Sequence, residues 1–250
     1  MNTLIKDAIA NSSYELHYQP KLDVKSGDVV GVECLARLKL CNGDVLYPNE
    51  FIDAVYRMGM NASLFKCLLN QSIRDVLLLE NSLSISINLK YSDILTNDVA
   101  KEIKEACNKY LFPYDKLTIE LSEKDKRLNN SIFISKINEI KLMGSKISID
   151  DFGIEHSNLD KFLDFYIDEV KFDRSILNSN YSIVRKLVML LVATFNSHGI
   201  YTVAEGVEDN NTLLMVQNMN FQCVQGFVFS QPMNINKLRE YCSNRLLVCQ

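Results

Sequence analysis

The sequence predicts an α/β barrel of eight strands in which one strand runs antiparallel, and three observations lead there. Eight runs alternate apolar and polar residues with the period of two that a half-buried strand requires. Segments of helical periodicity separate most of them, an ordering that builds a mainly parallel sheet, and eight such units close into a barrel. The first connection is the exception, with only "LDVKSG" or so between the first two runs. A parallel crossover needs roughly a dozen residues or more. The first two strands are therefore expected to form a hairpin turning near Lys25-Ser26-Gly27, which sets Gln19 roughly opposite Val32 and Glu33.

In chain order the expected strands are "YELHYQP" (14–20), "DVVGVECLAR" (28–37), "LSISIN" (83–88) and "KLTIEL" (116–121). They continue with "KISIDD" (146–151), "DEVKFD" (168–173), "YTVAEG" (201–206) and "CVQGFVF" (223–229). The clearest helices are "SLFKCLLNQSIRDVLLL" (63–79) and "SIVRKLVMLLVATFNSHG" (182–199), the second closing on Gly199 as its C-terminal cap.

Length and composition suit this fold. The 250 residues match one barrel, expected over residues 1–250 as a single domain, and 47% are apolar, enough to fill a large core. Twenty-seven basic against 31 acidic residues leave a net charge of −4, which argues against a general nucleic-acid or membrane-surface binder. The seven cysteines are odd in number and form no C-x-x-C pair, so free thiols in a reducing cytosol are expected. No signal peptide or long apolar stretch is present, and a cytoplasmic location is expected.

Polar residues recur at the strand ends while the strand interiors read as apolar. They are Glu33, Asn88, Glu120, Asp150 with Asp151, Lys171 with Asp173, Glu205 and Gln225. In a barrel the carboxyl ends of the strands meet on one rim, where catalytic groups collect. Crowded carboxylates stay ionised only when cations compensate them. Oxygen donors with no His or Cys among them select Mg²⁺, Mn²⁺ or Ca²⁺. Adjacent aspartates suit a pair of ions, one carboxylate bridging both, and two such ions serve in-line displacement at phosphorus. This identifies a reaction class and leaves the substrate open.

Taken singly, each residue has an ordinary explanation. Asp-Asp after a strand is commonly a turn or a helix cap. Lys171 could sit in a structural ion pair, and Glu208 at a solvated helix start. The "DFG" at 151–153 lacks the H-R-D and G-x-G-x-x-G partners of a kinase. His17, His156 and His198 have no metal spacing, and "CNGDV" (41–45) carries only a turn signal.

The ordered motifs nonetheless resemble one family, the EAL-domain cyclic-di-GMP phosphodiesterases. They are "YQP" (18–20), "GVECLARL" (31–38), "YPNEFI" (47–52), "SINL" (86–89) and "LTIELSE" (117–123). "ISIDDFG" (147–153), "EVKFDRS" (169–175), "VAEGVED" (203–209) and "QGFVFSQP" (225–232) follow in the family's order.

The resemblance implies a barrel with one antiparallel strand that hydrolyses cyclic di-GMP to linear pGpG, using two Mg²⁺ or Mn²⁺ ions. It implies Glu33, Asn88, Glu120 and Asp150 as first-metal ligands, with Asp150 bridging to a second ion held by Asp151. Lys171 would hold or deprotonate the attacking water, which requires its pKa to fall, and the metals' field would favour that. Glu205 and Gln225 would order water, metal and substrate. Gln19, Leu35, Arg37 and Asp173 would lie on the substrate side, and Glu123 would anchor the loop after the aspartates. A homodimer is also implied, and the charge balance already argues against a DNA or membrane partner.

The chain departs from the family pattern in three places. Cys34 replaces the alanine of the name-giving motif, and strand alternation turns it away from the face of Glu33. After Gly153 the family's Thr-Gly-Tyr-Ser-Ser becomes Ile154-Glu155-His156-Ser157-Asn158. Tyr56 stands where an Ala-Glu pair is common. The second departure sustains an alternative reading, a catalytically impaired module that binds cyclic di-GMP or a protein partner. Site chemistry alone would also allow another phosphodiester substrate.

Overall fold

A computed structural model describes residues 3–79, 83–122, 131–153 and 166–246. Helix α1 (Thr3–Ala10) precedes the hairpin of β1 (Tyr14–Asp23) and β2 (Val29–Lys39). The short β3 (Val45–Leu46), α2 (Pro48–Arg57) and α3 (Asn61–Val76) follow, then β4 (Ser84–Leu89), α4 (Tyr91–Thr96) and α5 (Val99–Tyr110). Strand β5 (Leu117–Ser122), α6 (Ser131–Leu142), β6 (Lys146–Phe152), β7 (Glu169–Phe172) and α7 (Arg174–Leu177) continue the alternation. It ends with α8 (Ser182–Ser197), β8 (Tyr201–Ala204), α9 (Asn210–Asn218), β9 (Cys223–Val224) and α10 (Ile235–Leu246).

The strands close in the order β1-β9-β8-β7-β6-β5-β4-β2, with β1 pairing back onto β2 and β3 added outside β2. Strand β1 runs antiparallel to both neighbours, and Gln19 lies opposite Glu33, one of the two positions the hairpin argument allows. The turn is held by Asp23, whose Oδ1 accepts the backbone N–H groups of Lys25 at 2.9 Å and Ser26 at 2.8 Å.

Packing follows from alternation. The faces of the parallel strands turned toward the helices are apolar, with Ile85 and Ile87, Ile119 and Leu121, Ile147 and Ile149, and Val170 and Phe172 all buried. Helix α3 answers with Leu64, Phe65, Leu68, Leu69, Ile73 and Val76, spaced three and four apart on one stripe. Helix α8 ends where expected, because Gly199 takes φ 74 and the Ile200 N–H reaches the Phe195 carbonyl at 3.0 Å. The Gly199 N–H donates to Asn196 in the paired bond of the same motif.

Phe172 is fully buried against Phe152 and Phe221, with both ring centroids 5.2 Å away. Phe172→Ala should cost about 3–5 kcal/mol of stability, the usual range for emptying a buried aromatic site. Urea unfolding would measure this; a loss under about 1 kcal/mol would mean that the site collapses without a cavity.

The last expected strand is shorter than the sequence suggests. Pairing stops at Val224, and residues 226–229 form a turn closed by the Phe229 N–H on the Gly226 carbonyl at 3.1 Å. A Cβ on Gly226 would lie 2.1 Å from the Val207 carbonyl oxygen, so that close approach requires glycine. Met233 then pairs with Tyr18 and extends the edge of β1. The segment "CNGDV" does more than turn, since it delivers β3 antiparallel to β2. The six described cysteines are free thiols, and Cys249 lies outside the described residues. Among the described residues, no helix is long and apolar enough to cross a membrane.

Candidate active site

The rim residues converge on one ammonium group. Lys171 Nζ lies 2.7 Å from Glu120 Oε2, 2.7 Å from Glu205 Oε1, 3.2 Å from Asp150 Oδ1 and 3.5 Å from Glu33 Oε2. Those four carboxylates come from β5, the end of β8, β6 and β2. Asn88 on β4 donates to Glu33 Oε1 at 2.7 Å. Gln225 donates to Glu33 Oε2 at 2.7 Å and to Gln19 Oε1 at 3.0 Å.

Both Gln225 bonds end on acceptors, which fixes its amide nitrogen and leaves Oε1 as the other group. That oxygen is buried without a partner, so it remains available to a ligand.

Strict strand alternation would send Asp150 and Asp151 to opposite faces. The structure resolves this with a bulge: Ile149 pairs with Val170 and Phe152 with Phe172, leaving one extra residue in β6. Asp151 takes the left-handed conformation at φ 59, which aspartate tolerates better than most residues. One carboxylate oxygen each from Asp150, Asp151 and Glu205 thereby lies within 4.8 Å of the others.

The site's electrostatics follow from burial and crowding. Burial opposes charge on Lys171, but Asp150, Glu120, Glu205 and Glu33 outweigh it and raise its pKa well above the usual lysine value. The lower pKa needed for a base is thus not produced by these side chains; it requires further positive charge. Burial raises the Glu33 carboxyl despite Lys171, and it raises Glu205 strongly in the same way. Glu120 is equally buried, yet Lys171 and Lys21 together hold it down to about 2.

Two further charged groups, Lys21 and Glu169, lie outside the strand-end pattern, and they correct the reading that strand interiors are apolar. Lys21 and Glu169 are buried beneath the rim, where Lys21 Nζ donates to Ser86 at 2.8 Å, Glu120 at 2.8 Å and Glu169 at 2.9 Å. Period-two parity was the available signal: Lys21 shares a strand face with Gln19, and Glu169 shares one with Lys171.

Glu33, Glu120, Asp150, Asp151, Glu205 and Glu169, set against Lys21 and Lys171, leave a formal charge of −4 when all are ionised, equal in size to that of two divalent ions. All-oxygen donors, an unpartnered amide oxygen and uncompensated negative charge fit hard divalent cations.

Because the Glu33 and Glu205 carboxyls are raised, protons compete with metal there. Cation affinity should therefore rise as pH increases through their raised values and be lost as pH falls below them. Calorimetric Mn²⁺ titration at about pH 6 and about pH 8 should show tighter binding at the higher pH, with protons released on binding. Equal affinity at both would show that protons on these two carboxyls do not compete with the ion in this range.

The remaining expected residues are distributed as follows. An open cavity of about 360 Å³ is lined by Gln19, Glu33, Leu35, Asp150, Lys171 and Asp173 among others. Asp173 also caps α7, accepting the Ser175 N–H at 2.7 Å. Arg37 does not line this cavity; its guanidinium stacks 4.6 Å from the Tyr47 ring centroid and donates to the Ala36 carbonyl. Arg174 and Glu208 do line it and form an ion pair, which gives Glu208 a partner that a solvated helix start would lack. Tyr56, of unexplained effect in the sequence, donates to Asp93, which also accepts from Asn61 at 2.7 Å. Glu123 and residues 154–158 lie outside the described residues.

Comparison with known proteins places the chain among relatives. The family model described as EAL domain matches residues 4–232. Cyclic di-GMP phosphodiesterase RocR of Pseudomonas aeruginosa is 25% identical over 238 residues, covering 93% of this chain and 61% of that protein. The chain spans 30% to 61% of the length of the first curated relatives it matches. The crystal structure of an EAL domain protein from Listeria monocytogenes EGD-e is similar with a TM-score of 0.84 at 28% identity, covering 97% of each chain. The EAL enzyme Bd1971, solved with cAMP and cyclic di-GMP bound, shares the fold with a TM-score of 0.86 at 24% identity, covering 95% of this chain and 67% of its own.

Proposed function

The chain belongs to the EAL domain family, and from that membership we propose that it hydrolyses cyclic di-GMP to linear pGpG with Mg²⁺ or Mn²⁺. One observation carries the reading: Lys171 lies within 3.5 Å of four carboxylates, three on separate strands and one just past the end of β8.

Glu33, Asn88, Glu120 and Asp150 would hold one ion, and Asp150 with Asp151 a second, Glu205 standing beside them. Bound divalent ions would supply Lewis-acid charge at the phosphate and acidify water. Lys171 hydrogen-bonds and orients the attacking water, and gives or takes its proton as the local charge dictates. Gln225, fixed by Glu33 and Gln19, presents its Oε1 to the same water or ion. The water oxygen bonds to phosphorus, the P–O3′ bond breaks, and the leaving oxygen takes a proton. The phosphate then remains on the 5′ oxygen, as in pGpG. Gln19, Leu35 and Asp173 line the substrate side of the cavity. The proposed setting is the cytoplasm.

A second reading, a module that binds the nucleotide or a protein without turnover, is favoured by Ile154-Glu155-His156-Ser157-Asn158 in place of the family's loop. The two separate in one experiment. Purified protein, cyclic di-GMP and Mn²⁺ or Mg²⁺ are incubated and the nucleotides resolved by chromatography. Metal-dependent pGpG supports hydrolysis. Its absence at equimolar protein and substrate overturns hydrolysis in favour of binding.

A further inference from the structure

We propose that Lys21 is a positioning residue for the metal site: from beneath the rim it holds Glu120 so that a single carboxylate oxygen faces the cluster. The inference rests on the metal-dependent reading above.

The geometry leaves Lys21 little freedom. An ammonium has three N–H donors, and Ser86, Glu120 and Glu169 take all three within 2.9 Å. Lys21 is 3% exposed and Glu120 is 0% exposed, so solvent does not compete for either. Glu120 is thereby divided, with Oε1 on Lys21 below and Oε2 on Lys171 above, at 2.7 Å. A carboxylate held in this way offers one oxygen in one direction, whereas an untethered one could rotate or chelate through both. Partners beyond the metal ligands commonly set metal affinity in this manner.

Glu169 completes the device. It is Lys21's second carboxylate, 2.9 Å from the ammonium and on a different strand from Glu120. A role in stability alone is the weaker account, because a buried ion pair is often no more stabilising than apolar residues of similar size. Orientation needs this pair. An apolar replacement could fill the space and would leave Glu120 Oε1 unheld.

The test uses Lys21→Met combined with Glu169→Gln, which removes both charges of the lower pair together. Glu169→Gln alone, which keeps the Lys21–Glu120 contact, is the reference. Mn²⁺ affinity measured by calorimetry should weaken about tenfold or more in the double variant. The single variant, whose amide oxygen can still accept from Lys21, should weaken binding by less than the double variant does. A double variant that melts at a lower temperature but binds Mn²⁺ with unchanged affinity would overturn the proposal, since a purely structural pair predicts that result. If the double variant does not fold, Ser86→Ala removes one anchor of the ammonium without stranding a charge. It should weaken Mn²⁺ binding about threefold, and unchanged affinity there would also overturn the proposal. The titration needs no turnover, so an unaltered protein that binds Mn²⁺ without making pGpG would overturn hydrolysis and leave this result intact.

Discussion

Lys171→Ala should lower the turnover of cyclic di-GMP by about a thousandfold, within the range that loss of a general acid–base group produces, while metal binding persists. The reason is the charge balance around Nζ. Four carboxylate groups lie within 3.5 Å of it, and it is 1% exposed. Removing the ammonium leaves Glu33, Glu120, Asp150 and Glu205 with less compensation, which favours a divalent ion in its place. The variant should therefore bind Mn²⁺ at least as tightly as the parent and yet fail to convert substrate. Single-turnover measurement at saturating Mn²⁺ separates the two effects. Undiminished turnover would remove Lys171 from the mechanism, and loss of Mn²⁺ binding would show that the lysine organises the ligands instead.

Asp150→Asn should act in the opposite way. Asparagine keeps the shape and the Oδ1 acceptor that receives the Asp151 N–H at 3.0 Å, so the bulge should survive. What it loses is a negative charge that serves both halves of the site, 3.2 Å from Lys171 and grouped with Asp151 and Glu205. Mn²⁺ affinity should fall by more than about 100-fold, beyond the effect of losing an outer partner, and pGpG formation should drop to background. Calorimetry and chromatography on one sample test both statements. A variant that retains Mn²⁺ affinity would show that Asp150 is not a ligand. Together the two variants distinguish a residue that works on water from one that holds the ion.

Much of this site is legible in the sequence. Asn88, Glu120, Asp150, Lys171 and Glu205 stand at or near strand ends, which a closed barrel brings together, while Glu33 lies mid-strand in β2, which runs on past the barrel to Lys39. The hairpin was legible too, because the length of a connection limits which strand directions it can join. Strand 223–229 was over-read, since "FVF" looks like a strand until the Gly226–Val207 approach turns the chain away. Arg37 shows the same limit at a side chain. Its place on β2 was predictable, but stacking on Tyr47 was decided by how the segment after β3 folds back.

By itself, the sequence determined the barrel, its one antiparallel strand, the hairpin register to within a residue and the family, because all of these rest on local periodicity, connection length and motif order. Only the tertiary structure decided that Asp151 would adopt a left-handed bulge and that Lys21 would reach Glu120 and Glu169. Those contacts join residues 99 and 148 positions apart. Such distances carry no local signal. They are set when the sheet closes and buried charges must take as partners whatever the opposite strands present.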